Sequence, residues 1–204
     1  MAPDFQMGNK TMNKRDFLGA ATLAGLWPAA QAATADAPAA GGPGLLTVSG
    51  AVGRSNRGPL DPALDQLLAK HGVRFDKAFV FDAAALARLP RVAIEPTLEY
   101  DGKRHALAGP LLTDVLHAAG VADGPDVRLA LRAVDGYAAP VRLADVKSWQ
   151  MIVALTLDGA PLALGGLGPQ WAVYDADHLP AFKDKPLKDR FAACPWGVYS
   201  IEVL

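Results

Sequence analysis

The period of hydrophobic and polar positions changes repeatedly along the chain, and each change marks a short element. Residues 45–52 alternate weakly and are rich in strand formers, which predicts a strand; a Gly, Arg, Asn and Pro loop follows over 53–62. Residues 64–70 predict a short helix stopped by Gly72, and 78–81 a strand edge. Asp82 is placed to cap a helix over 83–89, because its carboxylate can accept from the free N–H groups of the first turn and Pro90 prevents continuation. Residues 110–119 predict a further helix, with Pro110 at its first position, Leu111, Leu112, Val115 and Leu116 on one face, and Gly120 as its stop.

Residues 92–100, 104–107, 127–134, 137–142, 151–157 and 171–174 predict strands, and 198–204 a closing strand. Asp101-Gly102, Asp135-Gly136 and Asp158-Gly159 punctuate these runs. Asp-Gly suits a type I′ hairpin, whose two central residues need positive φ, so the sheets are expected to be largely antiparallel. Residues 143–148 and 186–193 predict two more short helices. Single helices alternating with hairpins, without regular βαβ spacing, predict an α+β fold of mixed, mostly antiparallel sheets.

Composition adds an address. Residues 13–18 open a short basic region, 18–27 form an apolar stretch of small residues, and Ala30-Gln31-Ala32 supplies the small-x-small pattern a signal peptidase accepts. The chain is therefore expected to be exported to the periplasm, with a leader over 1–32 cleaved near Ala32, a flexible lead-in over 33–44 and one folded domain over 45–204. Lys14-Arg15 also resembles a twin-arginine leader with lysine in the first position, which leaves both the Sec and Tat routes open, and Met7 and Met12 are both candidate starts. The apolar stretch falls short of the roughly 20 residues that span a bilayer, so the mature protein is expected to carry no membrane span.

Residues 1–32 hold Lys10, Lys14, Arg15, Asp4 and Asp16, so without them the 20 basic and 21 acidic residues fall to 17 and 19. No basic stripe for nucleic acid results; Lys183, Lys185, Lys188 and Arg190 are interleaved with Asp184 and Asp189 and read as a solvated helix face. Cys194 is the only cysteine, which excludes an internal disulfide, and in Ala-Ala-Cys-Pro-Trp it reads as a small buried apolar residue. His71, His105, His117 and His178 form no pair at metal-ligand spacing, and no nucleophile elbow or Cys-His pattern appears. The segment 168–178, a turn leading into a short strand rich in aromatics and acids, has the composition of a binding-site rim. Trp171 and Tyr174 are three apart, so a regular strand would turn one into the core and leave the other to face a ligand.

Taken in order, Leu46-Thr47-Val48-Ser49-Gly50 with Asn56, Phe81-Asp82 with Leu86 and Leu89-Pro90, Thr97, Gly109-Pro110-Leu111 with Asp114 to Leu116, Tyr137 before Pro140, Gly168-Pro169 with Trp171 and Tyr174, and Ile201-Glu202-Val203 resemble the molybdopterin-binding domain of the sulfite oxidase family. The resemblance covers about residues 45 to 204 and implies that family's α+β fold. The family's enzymes hold molybdenum through a cysteine about twelve residues before the Gly-x-Pro-Leu type turn; that position is Thr97, which has no thiolate to offer. They also hold the cofactor phosphate with basic side chains, for which Arg54, Arg57 and Arg104 stand as substitutes.

With Thr for Cys and a Gly-Pro-x-Trp-x-x-Tyr segment, the chain is similar to small periplasmic pterin-binding proteins that work with membrane-anchored cyclic-di-GMP enzymes. That similarity implies a non-catalytic pterin site drawn from Arg54, Asn56, Thr97, Tyr137, Trp171, Tyr174 and Asp177, no metal ligand, and a signalling partner. The alternatives are a molybdopterin-dependent oxidoreductase and a structural module that kept only the fold. A Cys194 side chain opening into the cavity beside Thr97 would favour the oxidoreductase.

Overall fold

The computed structural model describes residues 41–204, which fall within one compact unit. The expected leader, 1–32, and most of the lead-in, 33–44, lie outside the described residues. The first and last strands meet at the centre: β1 (Gly44–Gly50) runs parallel to β11 (Val198–Val203), with Thr47 opposite Ser200 and Val48 opposite Ile201. Leu46, Val48, Val198 and Ile201 are fully buried, so β1 and β11 are fastened to each other by core packing. β1 also pairs antiparallel with β2 (Ala78–Asp82), while β11 pairs with β5 (Arg128–Ala133) and β5 with β6 (Ala138–Arg142). The resulting sheet has the order β2-β1-β11-β5-β6.

A second sheet, β3-β4-β8-β9, comprises Arg91–Ile94, Leu107–Pro110, Thr156–Leu157 and Ala160–Pro161; β7 (Ile152–Ala154) pairs with β10 (Trp171–Val173). Every strand pair except β1–β11 is antiparallel, as the hairpin signals predict. Among the described residues four short helices, α1 (Gln66–Lys70), α2 (Ala83–Ala87), α3 (Leu112–Ala118) and α4 (Leu143–Ser148), complete the α+β fold. Asp82 caps α2 as expected, accepting from the Ala85 amide at 2.6 Å. Leu112, Val115 and Leu116 of α3 and Leu143 and Val146 of α4 turn into the common core.

Four expectations change. The strand expected over 92–100 stops at Ile94, because Pro96 offers no amide and the chain enters a loop that returns at the Thr97–Arg104 bridge. The run 151–157 divides at Leu155, with β7 pairing to β10 and β8 to β4. Pro110 ends β4 instead of opening α3, which starts at Leu112 after Leu111. The helix expected over 186–193 is a 3-10 turn at Leu187–Asp189. Of the three Asp-Gly turns, Asp158-Gly159 has positive φ at both residues (48° and 81°); at Asp101-Gly102 and Asp135-Gly136 only the glycine does.

Gly109 shows why the Gly-Pro-Leu segment opens with glycine. A Cβ there would sit 1.9 Å from the Val153 carbonyl oxygen, so β4 can lie against β7 only without a side chain. Gly109→Ala is expected to lower stability in urea unfolding by about 1–3 kcal/mol through overpacking. Gly58→Ala, where nothing lies within 4 Å of the added Cβ, should stay within about 0.5 kcal/mol of wild type.

Candidate functional site

Three chain segments converge beside the end of the central sheet. The loop between β3 and β4 brings Glu99 and Tyr100; the β5–β6 turn brings Asp135 and Tyr137; the stretch before β11 brings Phe191, Cys194 and Trp196. Between them lies a cavity of about 170 Å³. The β5–β6 turn keeps its shape because Gly136 takes φ 92° and the Asp135 carboxylate accepts from the Tyr137 amide at 2.9 Å. Tyr137 then reaches across, its hydroxyl donating to the Ala192 carbonyl at 2.5 Å, and thereby ties two walls together.

The floor is aromatic. Trp171 and Tyr174 are both 0% exposed, so neither faces a ligand as the strand alternation had suggested. β10 is only three residues long, and both sides of it are covered. Their polar ends point the same way: Trp171 Nε1 donates to the Cys194 carbonyl at 2.9 Å and the Tyr174 hydroxyl to the Arg190 carbonyl at 2.7 Å. Phe191 lies 6.2 Å from each ring, and Tyr100 lies 6.3 Å from Trp171. Burial raises the pKa of Tyr174. Partial burial and the neighbouring Glu99 carboxylate push Tyr100 up to about 12.

Thr97 does not line the cavity. Its amide and hydroxyl both donate to Asp177 Oδ2 at 2.7 Å, while Arg190 Nη1 donates to Asp177 Oδ1 at 2.7 Å. Arg190 further donates to the carbonyls of Lys183 and Lys185. Lys183, Lys185 and Lys188 of the basic cluster are exposed, as expected of a solvated face, but Arg190 is not part of it: its side chain is only 19% exposed and locks the turns before β11 to the loop after β10. Partial burial raises the Asp177 pKa, but the Thr97 hydrogen bonds and the Arg190 charge outweigh it and hold the carboxyl below the ordinary range.

Asn56 and Arg54 lie elsewhere. Asn56 pairs with both backbone groups of Val80, at 2.8 and 2.7 Å, and so closes the exposed edge of β2. Arg54 is exposed, its amide bonded to the Ala119 carbonyl. Tyr137 is thus the one expected site residue that lines the cavity, with Trp171 and Tyr174 behind it and Thr97 and Asp177 bracing it. The sequence reading missed Glu99 and Tyr100, because 92–100 looked like a strand, and Trp196. Its signal was an aromatic directly after Cys194-Pro195 and before the last strand.

Cys194 borders the cavity but is 5% exposed, and burial pushes its thiol up to about 12, so it stays protonated near neutral pH. A molybdopterin cofactor asks for a soft thiolate and for basic groups around its phosphate. The charged side chains lining the cavity are Glu99 and Asp135, both acidic. Arg57 pairs with Asp65 and Arg104 with Glu95, away from the cavity. These residues do not fit that group. Among the described residues no cluster of three His, Cys, Asp or Glu could hold a metal ion, and no helix is long and apolar enough to cross a membrane.

No family model matches the chain, and no curated protein matches it. Among solved structures, the sulfane dehydrogenase SoxCD from Paracoccus pantotrophus is similar, with a TM-score of 0.51 and 14% sequence identity over 78% of this chain and 37% of that one. The chain thus spans little more than a third of that protein's chain. At this identity the likeness is one of fold, and it agrees with the α+β, sulfite-oxidase-like fold expected from the motifs.

Asp177→Asn is expected to destabilise by about 1–3 kcal/mol, since it leaves the partly buried Arg190 without its charge partner. A carboxyl whose folded pKa is depressed contributes stability above its unfolded value, near about 4, and loses it as the pH falls through the folded value. The difference between wild type and Asp177→Asn in urea unfolding should therefore be full at neutral pH and shrink in acid.

Proposed function

We propose that this protein binds a pterin-type ligand in the cavity between Tyr100, Tyr137 and Trp196, without catalysing a reaction on it. The observation that carries the reading is the lining: aromatic walls combined with two carboxylates, Glu99 and Asp135, and no basic side chain. A pterin is a flat ring with π faces for aromatic contact, and its aminopyrimidine edge presents two parallel N–H donors that one carboxylate can accept together. A cavity of about 170 Å³ suits a ring entering edge-first with its substituent left in solvent. The phenols of Tyr100 and Tyr174 and the thiol of Cys194 are all held protonated, which leaves the surroundings without the nucleophile or thiolate a redox centre would use.

The motif resemblance extends the proposal. The chain acts in the periplasm after cleavage near Ala32, and it passes its ligand state to the periplasmic domain of a membrane cyclic-di-GMP enzyme. The rim at Tyr100 and Tyr137, respectively 54% and 49% exposed, is the surface at which ligand and partner could meet. The oxidoreductase reading has one observation in its favour, that Cys194 borders the cavity; against it, Thr97 does not, and its hydroxyl is committed to Asp177.

Tetrahydrobiopterin added to the purified protein should raise its thermal midpoint, with a stabilisation of about 2.7 kcal/mol at a hundredfold excess over Kd. Glu99→Gln should weaken binding by about tenfold or more, as expected for loss of a charge-assisted pair. Stoichiometric molybdenum in protein purified from its own periplasm, together with loss of that metal in Cys194→Ser, would sink the proposal in favour of the oxidoreductase.

A further inference from the structure

The loop that carries Glu99 and Tyr100 is fastened at two places of different chemistry. At its base, Thr97 is bonded to Asp177 and Leu98 is 2% exposed in the core. At its tip, the backbone hydrogen bonds run within the loop itself, from Leu98 N to Lys103 O at 2.9 Å and from Gly102 N to Leu98 O at 3.0 Å. Besides the Tyr100 ring, 6.3 Å from Trp171, the tip is joined outward through His105. Its Nε2 lies 3.0 Å from Asp101 Oδ2 on the tip, and its Nδ1 lies 2.7 Å from Asp158 Oδ2 on the β8–β9 turn. Asp158 is itself fixed, since its other oxygen accepts from the Ala106 amide at 2.9 Å and its amide donates to the Ala106 carbonyl at 2.7 Å.

An imidazolium has an N–H on each nitrogen and can donate to both carboxylates at once. A neutral ring has one N–H. It keeps the shorter bond, to the fixed Asp158, and turns a lone pair toward the Asp101 carboxylate, which repels it. Resting on the pterin reading of the cavity, the geometry points to a pH-operated clasp: protonated His105 pins the Glu99–Tyr100 wall in place for the ligand, and neutral His105 releases the tip and with it the ligand.

The charged groups facing the ring are Asp158 from the β8–β9 turn and Asp101 from its own loop; Lys103 and the Arg104–Glu95 pair lie on the same loop. The hydrogen bonds to Asp158 and then Asp101 raise the His105 pKa, and the same bonds to His105 lower those of Asp101 and Asp158. A raised histidine pKa means the clasp is complete below the ordinary value of about 6.5 and is lost as the pH climbs through the folded value. On the acid side it fails when the two carboxylates protonate, below about pH 4. The ring is 20% exposed and both carboxylates more so, which keeps the effect modest.

The test measures two quantities on the whole protein at about pH 5 and about pH 8, either side of the histidine transition. These are the Kd for tetrahydrobiopterin and the hydrogen-exchange protection of amides 98–103, corrected for intrinsic exchange. The wild type should bind about two- to fivefold more weakly at the higher pH, with a parallel loss of protection. His105→Gln, which carries no charge, and Asp101→Asn, which keeps the His105–Asp158 pair but loses the charged link to the tip, should show no such change. Equal pH profiles in wild type and His105→Gln overturn the clasp even where the pterin binds well. If tetrahydrobiopterin binds at neither pH, the pterin reading fails; the exchange data still decide the clasp, upheld by a pH-dependent loss in wild type alone and refuted by its absence.

Discussion

The cavity depends on two buried aromatic side chains whose polar ends hold the chain that leads into the last strand. Trp171 donates to the Cys194 carbonyl and Tyr174 to the Arg190 carbonyl, and both rings are wholly enclosed. Buried N–H and O–H groups must find partners, so the positions of the two rings dictate where residues 190–194 can run. That stretch has no helix or strand of its own; the 3-10 turn Leu187–Asp189 ends just before it. Its path is set from beneath by aromatic donors, from the side by the Tyr137 hydroxyl on Ala192, and from behind by Arg190 on Asp177. Cavity shape is therefore a consequence of core packing, and a ligand contacting Phe191 or Trp196 also meets the core that placed them.

The fold was legible where periodicity and turn chemistry agreed. The central strands, the Asp82 cap and helix α4, Leu143–Ser148, stand where the pattern of the sequence predicts them. It was illegible where a run of apolar residues serves two sheets, as at Leu155, or where an extended run turns back after a proline, as at Pro96. Residue spacing within one segment cannot report a pairing partner far along the chain. The same limit governs the site. Tyr137 could be singled out, but its companions Glu99, Tyr100 and Trp196 come from loops whose convergence is a tertiary event. Trp171 and Tyr174 are both buried, because the alternation rule says which way a strand residue points and nothing of whether a second layer covers that side.

Electrostatics narrows the chemistry more than shape does. A small cavity with aromatic walls would accept many flat molecules, but Glu99 and Asp135 favour an edge rich in N–H donors and disfavour phosphate. Burial meanwhile keeps Tyr100 and Cys194 protonated, both pushed up to about 12. The two carboxylates of the lining are hydrogen-bond acceptors.

Thr97 gives this division of labour its structural meaning. A hydroxyl donates a stronger hydrogen bond than a thiol and ligates soft metals poorly. Here that hydroxyl joins the Thr97 amide in holding a single oxygen of Asp177, which in turn anchors Arg190 and the turns that lead to the cavity's floor. Thr97 is thus engaged in mechanical work, bracing the base of the loop whose tip carries Glu99 and Tyr100. A cysteine in its place would weaken that brace whether or not a metal came with it. The bracing arrangement therefore uses a hydroxyl at position 97, which threonine supplies.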